Sequence, residues 1–238
     1  MKSTETEPEN ISVAIGDQGS VTALLYSAAK RNRAKTTIIL GHGAGANQMS
    51  KFMRLFASGL AARGFDTLTF NFLYSERGRA APDPKAKLES CYAAVIEAAR
   101  RKLKKNRLVI GGKSMGGRIA SQVAAAGVGE IAALVFLGYP LHPPGNPEKL
   151  RDAHLKDVPS PMLFMQGSRD VFGTPEELRA VFKRLKLPAT LHVIEGGDHS
   201  FAVPKSLGVS QPQVYEQMMD DIGSWLAILI PPSMLQGG

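Results

Sequence analysis

The residues able to do chemistry gather around one pentapeptide. Gly112-Lys113-Ser114-Met115-Gly116 places a serine between two glycines in the pattern G-x-S-x-G. An apolar run over 108–110 leads into it and a helical pattern over 119–126 follows, the strand-to-helix context that such an elbow needs. A serine on so tight a turn is strained, and minimal neighbours let the chain close around it. Its hydroxyl would emerge at the carboxyl edge of the sheet, where open α/β sheets receive ligands, above a helix N-terminus that favours developing negative charge. The chemistry implied is nucleophilic attack on a carbonyl.

A serine is a weak nucleophile without a base. Five histidines are available: His42, His142, His154, His192 and His199. For a serine on a G-x-S-x-G elbow the expected order along the chain is nucleophile, acid, base. His42 precedes the serine and does not fit that order. His192 falls inside the last strand and reads as packing. His142 and His154 lie in a polar connection where surface placement is the default. His199, in the turn-rich Gly196-Gly197-Asp198-His199-Ser200-Phe201, can reach over the elbow and is the candidate base. The candidate acid is Asp170, at the end of Gln166-Gly167-Ser168-Arg169-Asp170, where it can bind the histidine Nδ1 and fix its tautomer. Asp198 is the rival acid. Chain neighbours in a tight loop seldom face each other, so its expected role is turn-making.

An oxyanion hole needs two backbone N–H groups. One is expected from Met115. The other is expected from the loop Gly41-His42-Gly43-Ala44-Gly45-Ala46, with Ala44 preferred and Gly45 as the alternative. Tyr74, Arg77 and Arg79 follow a strand at 66–72 and so lie at the same sheet edge as Ser114. They are candidate substrate-binding residues, the arginines able to grip a carboxylate or phosphate in a fork. The competing reading is a loop pinned by a pair with Glu76. Arg118, one helical turn after Ser114, reads as a supporting pair beneath the elbow.

Strand-like runs alternate with helical ones, the pattern of a mostly parallel sheet covered by helices on both faces. Strands are expected at 11–15, 21–26, 36–40, 66–72, 108–110, 132–137, 162–165 and 190–194. The first two flank a hairpin signal at Gly16-Asp17-Gln18-Gly19. Helices are expected at 49–63, 85–105, from just after Ser114 to 126, from Thr174-Pro175-Glu176-Glu177 onward, and at 213–229. The stretch between 137 and 162 is short and proline-rich and leaves no room for a helical lid domain. One domain over 11–230 is expected, with flexible tails at 1–10 and 231–238.

The composition, 44% hydrophobic and 21% charged over 238 residues, fits a soluble globular domain with a substantial core. No membrane span is expected, because a span needs about 20 apolar residues. Residues 1–10 are acidic and polar, so no secretory leader is expected. The single cysteine, Cys91, rules out an internal disulfide, and together these features suit a cytoplasmic protein. The net charge of +8 is concentrated at Arg100, Arg101, Lys102, Lys104, Lys105 and Arg107. No aromatic residue interleaves that run, so it reads as a solvated helix end, and no nucleic-acid partner is expected.

The His42-Gly43 loop, the elbow, Gly167-Ser168-Arg169-Asp170 and Gly197-Asp198-His199 together resemble the α/β-hydrolase superfamily, and within it the small, lidless, dienelactone-hydrolase-like branch. Residues 70–79, 112–118 and 138–145 resemble the predicted-hydrolase group that includes testis-expressed protein 30 and the hydrolase-like domain of a non-specific-lethal chromatin complex subunit. The resemblance covers roughly residues 11–229. It implies the α/β-hydrolase fold, with an eight-stranded sheet, and a triad of Ser114, Asp170 and His199. Dienelactone hydrolases proper carry cysteine at the elbow. Serine here favours ester-like acyl transfer on a small-molecule ester, that of a carboxylesterase acting on short, soluble substrates without metal or organic cofactor. The other readings are a non-catalytic binding or scaffold protein on the same fold, and a peptidase or thioesterase on the same triad.

Overall fold

The computed structural model describes residues 7–30 and 33–230. Of the tails expected over 1–10 and 231–238, residues 1–6 and the whole of the second therefore lie outside the described residues. Eight strands form one sheet: β1 (Glu9–Ala14), β2 (Ser20–Tyr26), β3 (Thr36–Gly41), β4 (Asp66–Phe70), β5 (Arg107–Lys113), β6 (Ala133–Leu137), β7 (Met162–Gly167) and β8 (Ala189–Ile194). Their spatial order is β1-β2-β4-β3-β5-β6-β7-β8. The β1–β2 and β2–β4 pairs are antiparallel, and every other pair is parallel. β1 begins at Glu9, within the stretch expected as a flexible tail, because Glu9 and Asn10 already pair with Leu25 and Leu24.

The central strands are apolar on both sides, as strands covered by helices must be. Alternation divides their side chains into two cores. Ile39, Leu68, Ile110, Leu134 and Phe136 pack with Tyr92 and Val95 of α3 (Lys85–Lys102) and with Ile119 of α4 (Met115–Ala125). Ile38, Leu40, Val109, Val135 and Leu137 pack on the other face with Phe56 and Leu60 of α1 (Lys51–Ala62), and with Met218 and Ile222 of a long C-terminal helix, Gln211–Leu229.

Two helix starts carry out what their sequences specify. Ser50 caps α1 through its side chain. The helix Pro175–Leu185 opens on a full capping box between Thr174 and Glu177, with proline in its first turn. A one-turn helix, α2 (Leu73–Glu76), has no counterpart in the sequence reading, because four residues carry no periodic signal. α3 ends at Lys102, so part of the basic run is helix end. Arg100 donates to the carbonyls of Val128 and Glu130, and Lys102 pairs with Glu9. Between β6 and β7 the chain forms only a 3-10 turn at Leu155–Asp157. Among the described residues no helix is long and apolar enough to cross a membrane.

Main chain packs tightly on main chain where β3 ends against the turn from β5 into α4. A Cβ on Gly112 would fall 2.2 Å from the Gly41 carbonyl oxygen, and one on Gly116 2.1 Å from the same atom. Neither partner is a side chain that can swing aside. Gly116→Ala is therefore expected to lower the unfolding free energy by about 3 kcal/mol or more in urea denaturation, through overpacking against main chain.

Candidate active site

At that turn Ser114 takes φ 50° and ψ −113°, a conformation a non-glycine residue rarely holds. It is held there by its amide, which donates to the Leu137 carbonyl of β6 at 3.1 Å, and by its position as N-cap of α4. The side chain is thereby aimed out of the sheet edge. His199 Nε2 lies 2.9 Å from Ser114 Oγ, and His199 Nδ1 lies 2.7 Å from Asp170 Oδ2. The structure thus brings Ser114, His199 and Asp170 into one hydrogen-bonded chain from residues 29 and 85 positions apart.

Each member is held from behind. Asp170 is buried, and its Oδ1 accepts from the Phe172 amide at 2.8 Å. Its Oδ2 also accepts from Gln166 Nε2 at 2.9 Å. Gln166 is fully buried at the end of β7, donates to the Gly173 carbonyl and accepts from the Tyr139 amide. Sequence reasoning passed over Gln166; the available signal was one amide side chain within an otherwise apolar strand. The His199 ring packs on Phe172 at 4.2 Å between centroids. The His199 carbonyl accepts from Lys113 Nζ at 2.6 Å, and the same ammonium stands 5.2 Å from the centre of the Phe201 ring. Asp198 instead turns its carboxylate onto its own loop, accepting from the amides of Ser200 and Ala202 at 2.8 and 2.9 Å.

The loop after β3 is shaped by His42, which is fully buried. The Phe72 amide donates to His42 Nε2 at 3.2 Å, so the proton sits on Nδ1, which donates to the Gly43 carbonyl at 2.8 Å. Burial also pushes this imidazole's pKa down, which keeps it neutral. The Gly43 carbonyl accepts from Ala46 as well. With that carbonyl drawn back, Gly43 and Ala44 line the cavity beside Ser114 and Met115. Among the described residues neither the Ala44 nor the Met115 amide donates to another protein group, and Met115 is the first residue of α4, where N–H groups have no helical partner.

The other histidines occupy places different from those expected. His142 is buried, bonded to the Pro143 carbonyl and paired with Glu177 at 3.3 Å. His154 is half-buried, 2.8 Å from Ser121 Oγ; burial, then Lys85 and Arg118, push its pKa down to about 4. His192 is partly exposed and pairs with Asp221 at 2.9 Å, because β8 is an edge strand facing the C-terminal helix.

The cavity over Ser114 is about 700 Å³, within the range of small-molecule sites. Phe52, Met53, Leu88, Phe172 and Tyr215 supply apolar walls. Tyr74, Arg77 and Arg79, expected at the site, do not line it. Tyr74 is buried, its ring against His42 and Phe72. Arg77 turns away to the Gln18 carbonyl, and Arg79 pairs with Asp83 at 2.6 Å. Glu76 bonds Thr22 and Asn71 rather than either arginine. Arg118, expected in a supporting pair, makes none among the described residues and lines the cavity. Among the described residues no group of three or more His, Cys, Asp or Glu is placed to hold a metal ion.

A model of the alpha/beta hydrolase domain matches residues 34–227. The fold is similar to that of an alpha-beta serine hydrolase homologue from Coxiella burnetii, with a TM-score of 0.73 and 19% identity over 95% of this chain and 100% of that one. It is similar to a serine hydrolase without lid from Xanthomonas campestris, with a TM-score of 0.71 and 18% identity over 98% of each chain. A dienelactone hydrolase from Anabaena variabilis gives 0.71 and 19% over 94% of this chain and 99% of that one. At such identities these likenesses establish the fold.

Lys113 provides a test of how the site is held. Desolvation pushes its ammonium from 10.5 down to about 8, with Asp170 and Asp198 opposing the shift. A lowered lysine means that the folded state carries the charge at a cost. That cost is full below pH 8, shrinks as the folded protein discharges, and vanishes above 10.5. Between pH 7 and 9.5 the wild type should therefore gain about 2 kcal/mol of stability relative to Lys113→Met, read from paired denaturant melts.

Proposed function

Since this chain belongs to the alpha/beta hydrolase domain family, we propose that it is a serine hydrolase acting on short carboxylic esters through an acyl-enzyme. The observation that carries this reading is the hydrogen-bonded chain from Ser114 Oγ through His199 to Asp170, at 2.9 and 2.7 Å.

In this reading His199 Nε2 takes the Ser114 proton as Oγ attacks the ester carbonyl. Asp170 holds Nδ1–H, fixing the tautomer in which Nε2 is free to accept and stabilising the imidazolium that forms. The carbonyl oxygen, now negative, is received by the amides of Met115 and Ala44. The tetrahedral species collapses, His199 gives its proton to the leaving alkoxide, and the acyl group stays on Ser114. Water then attacks the acyl-enzyme with His199 as base, and Ser114 leaves with the proton returned. The backbone strain at Ser114 keeps the nucleophile positioned before substrate arrives.

Ser114→Ala should abolish hydrolysis of p-nitrophenyl acetate and labelling by a fluorophosphonate. Labelling that persists at another serine would remove Ser114 from this role. Asp170→Asn should lower kcat by about ten-thousand-fold. Asp198→Asn should cost less than tenfold, since its amide oxygen can still accept from Ser200 and Ala202. A larger loss from Asp198→Asn would reassign the acid.

Acyl length follows from the open cavity. A buried methylene contributes about 0.8 kcal/mol. Beyond the walls set by Phe52, Leu88 and Tyr215 an acyl chain returns to water, and on the way it strips water from Arg118, Arg151 and Lys85. Specificity constants for p-nitrophenyl esters should fall from butyrate to palmitate, with no activation at a lipid interface. Strong turnover of emulsified long-chain triglyceride would contradict this.

A further inference from the structure

The cavity over Ser114 holds two arginines that the triad does not use. Arg118 comes from α4, four residues after Ser114, which puts it on the same face of that helix one turn on. Arg151 comes from the irregular connection between β6 and β7. Both line the cavity. Neither guanidinium makes a hydrogen bond or ion pair with another described residue, and Arg118 Nε is buried without any partner. The arrangement contrasts with Arg63, Arg79, Arg100, Arg179 and Arg184, each of which holds a carboxylate.

The acids near the pair are already taken. Asp83, on the cavity wall, is held by Arg79 at 2.6 Å, and Glu89 by Lys85 at 3.5 Å. Arg118 and Arg151 repel one another; burial first, and then Arg151, lower the affinity of Arg118 for its proton. A buried donor left unpaired is costly, and facing like charges add to that cost. The fold nonetheless fixes Arg151 in place. Its amide donates to the Leu141 carbonyl at 2.8 Å, and its carbonyl accepts from Tyr139 Oη at 3.0 Å. Two forked cations held with their donors free toward a cavity form a receptor for a planar anion.

We propose that Arg118 and Arg151 form an anion subsite that binds a second carboxylate of the substrate, so that the preferred esters are monoesters of short dicarboxylic acids. The inference rests on Ser114 being the reacting group, because that fixes which bond lies at the other end. The carboxylate replaces the missing counter-ion, satisfies Arg118 Nε and converts the repulsion into shared attraction. Arg118 stands one helical turn from Ser114, about 5.4 Å of rise, so the matching diacid is a short one.

The test uses the full-length protein and glutarate, which needs no chemistry. Titration calorimetry at low salt should show glutarate binding at least tenfold more tightly than the neutral glutaramide. It should also exceed inorganic phosphate, which carries charge without the span. Arg151→Gln and Arg118→Gln should each weaken glutarate at least tenfold, Arg151→Lys should lose less, and Arg179→Gln should change nothing. Glutarate should also slow fluorophosphonate labelling of Ser114. Equal binding of glutarate and glutaramide, phosphate binding as tight as glutarate, or arginine variants of unchanged affinity in folded protein would each overturn the subsite. If Ser114 resists labelling while glutarate binds through the two arginines, the subsite stands and the hydrolase reading falls. If labelling proceeds and glutarate shows no preference, the reverse holds.

Discussion

The Gly41 carbonyl oxygen occupies the space where the side chains of residues 112 and 116 would begin. That one close approach binds together two features that must stay in register. On one side is the strained turn that carries Ser114. On the other is the start of the loop that carries Gly43 and Ala44. Parallel pairing of Gly41 with Gly112 sets the two strand ends level. Tyr92, fully buried on α3, locks them, its single hydroxyl proton lying between the carbonyls of Ile39 and Gly111 and its oxygen accepting from the Gly111 amide. Ser114 and the candidate oxyanion donors are thereby fixed by main chain and core rather than by mobile side chains, which is the condition for electrostatic preorganisation.

The other half of the site is assembled through polar groups buried behind it. Gln166 spans from the Tyr139 amide to Asp170, and Asp170 spans to His199. Each group fills the hydrogen-bonding capacity of the next, so the carboxylate can be buried without standing unpaired. Lys113 secures the loop from the opposite side through the His199 carbonyl. Lys113 is the residue preceding Ser114 in the chain, so the same turn that presents the serine also anchors the loop of its partner.

Much of this was legible in the sequence because the signals are local. The elbow is five contiguous residues, and the capping box at Thr174 and Glu177 is four. The strands were found from apolar runs, with their ends off by a few residues. The order serine, acid, histidine singled out Asp170 and His199, and the structure places them within hydrogen-bonding distance of one another and of Ser114. What escaped was the aim of long side chains. Arg77 and Arg79 leave β4 at the right edge of the sheet, but the Gln18 carbonyl and Asp83 draw their guanidiniums elsewhere. Gln18 is 59 residues from Arg77, and no periodicity encodes such a contact. His192 is a similar case: β8 is only partly covered, and His192 pairs with Asp221 of the C-terminal helix, a contact that no strand periodicity encodes.

The short connection between β6 and β7 shows why losing a lid need not mean losing selectivity. A lid adds apolar contact in steps of about 0.8 kcal/mol per methylene, a shallow gradient that separates chain lengths slowly. This connection instead delivers Pro140 and Arg151 to the cavity rim, and Tyr139 clamps the Arg151 carbonyl from below. A charge held half out of water discriminates differently. A ligand that pairs with it gains a charge-assisted bond, and one that covers it without pairing loses the hydration of an ion. On the proposed reading, the open cavity therefore selects less by how much acyl chain it buries than by what the chain carries at its far end.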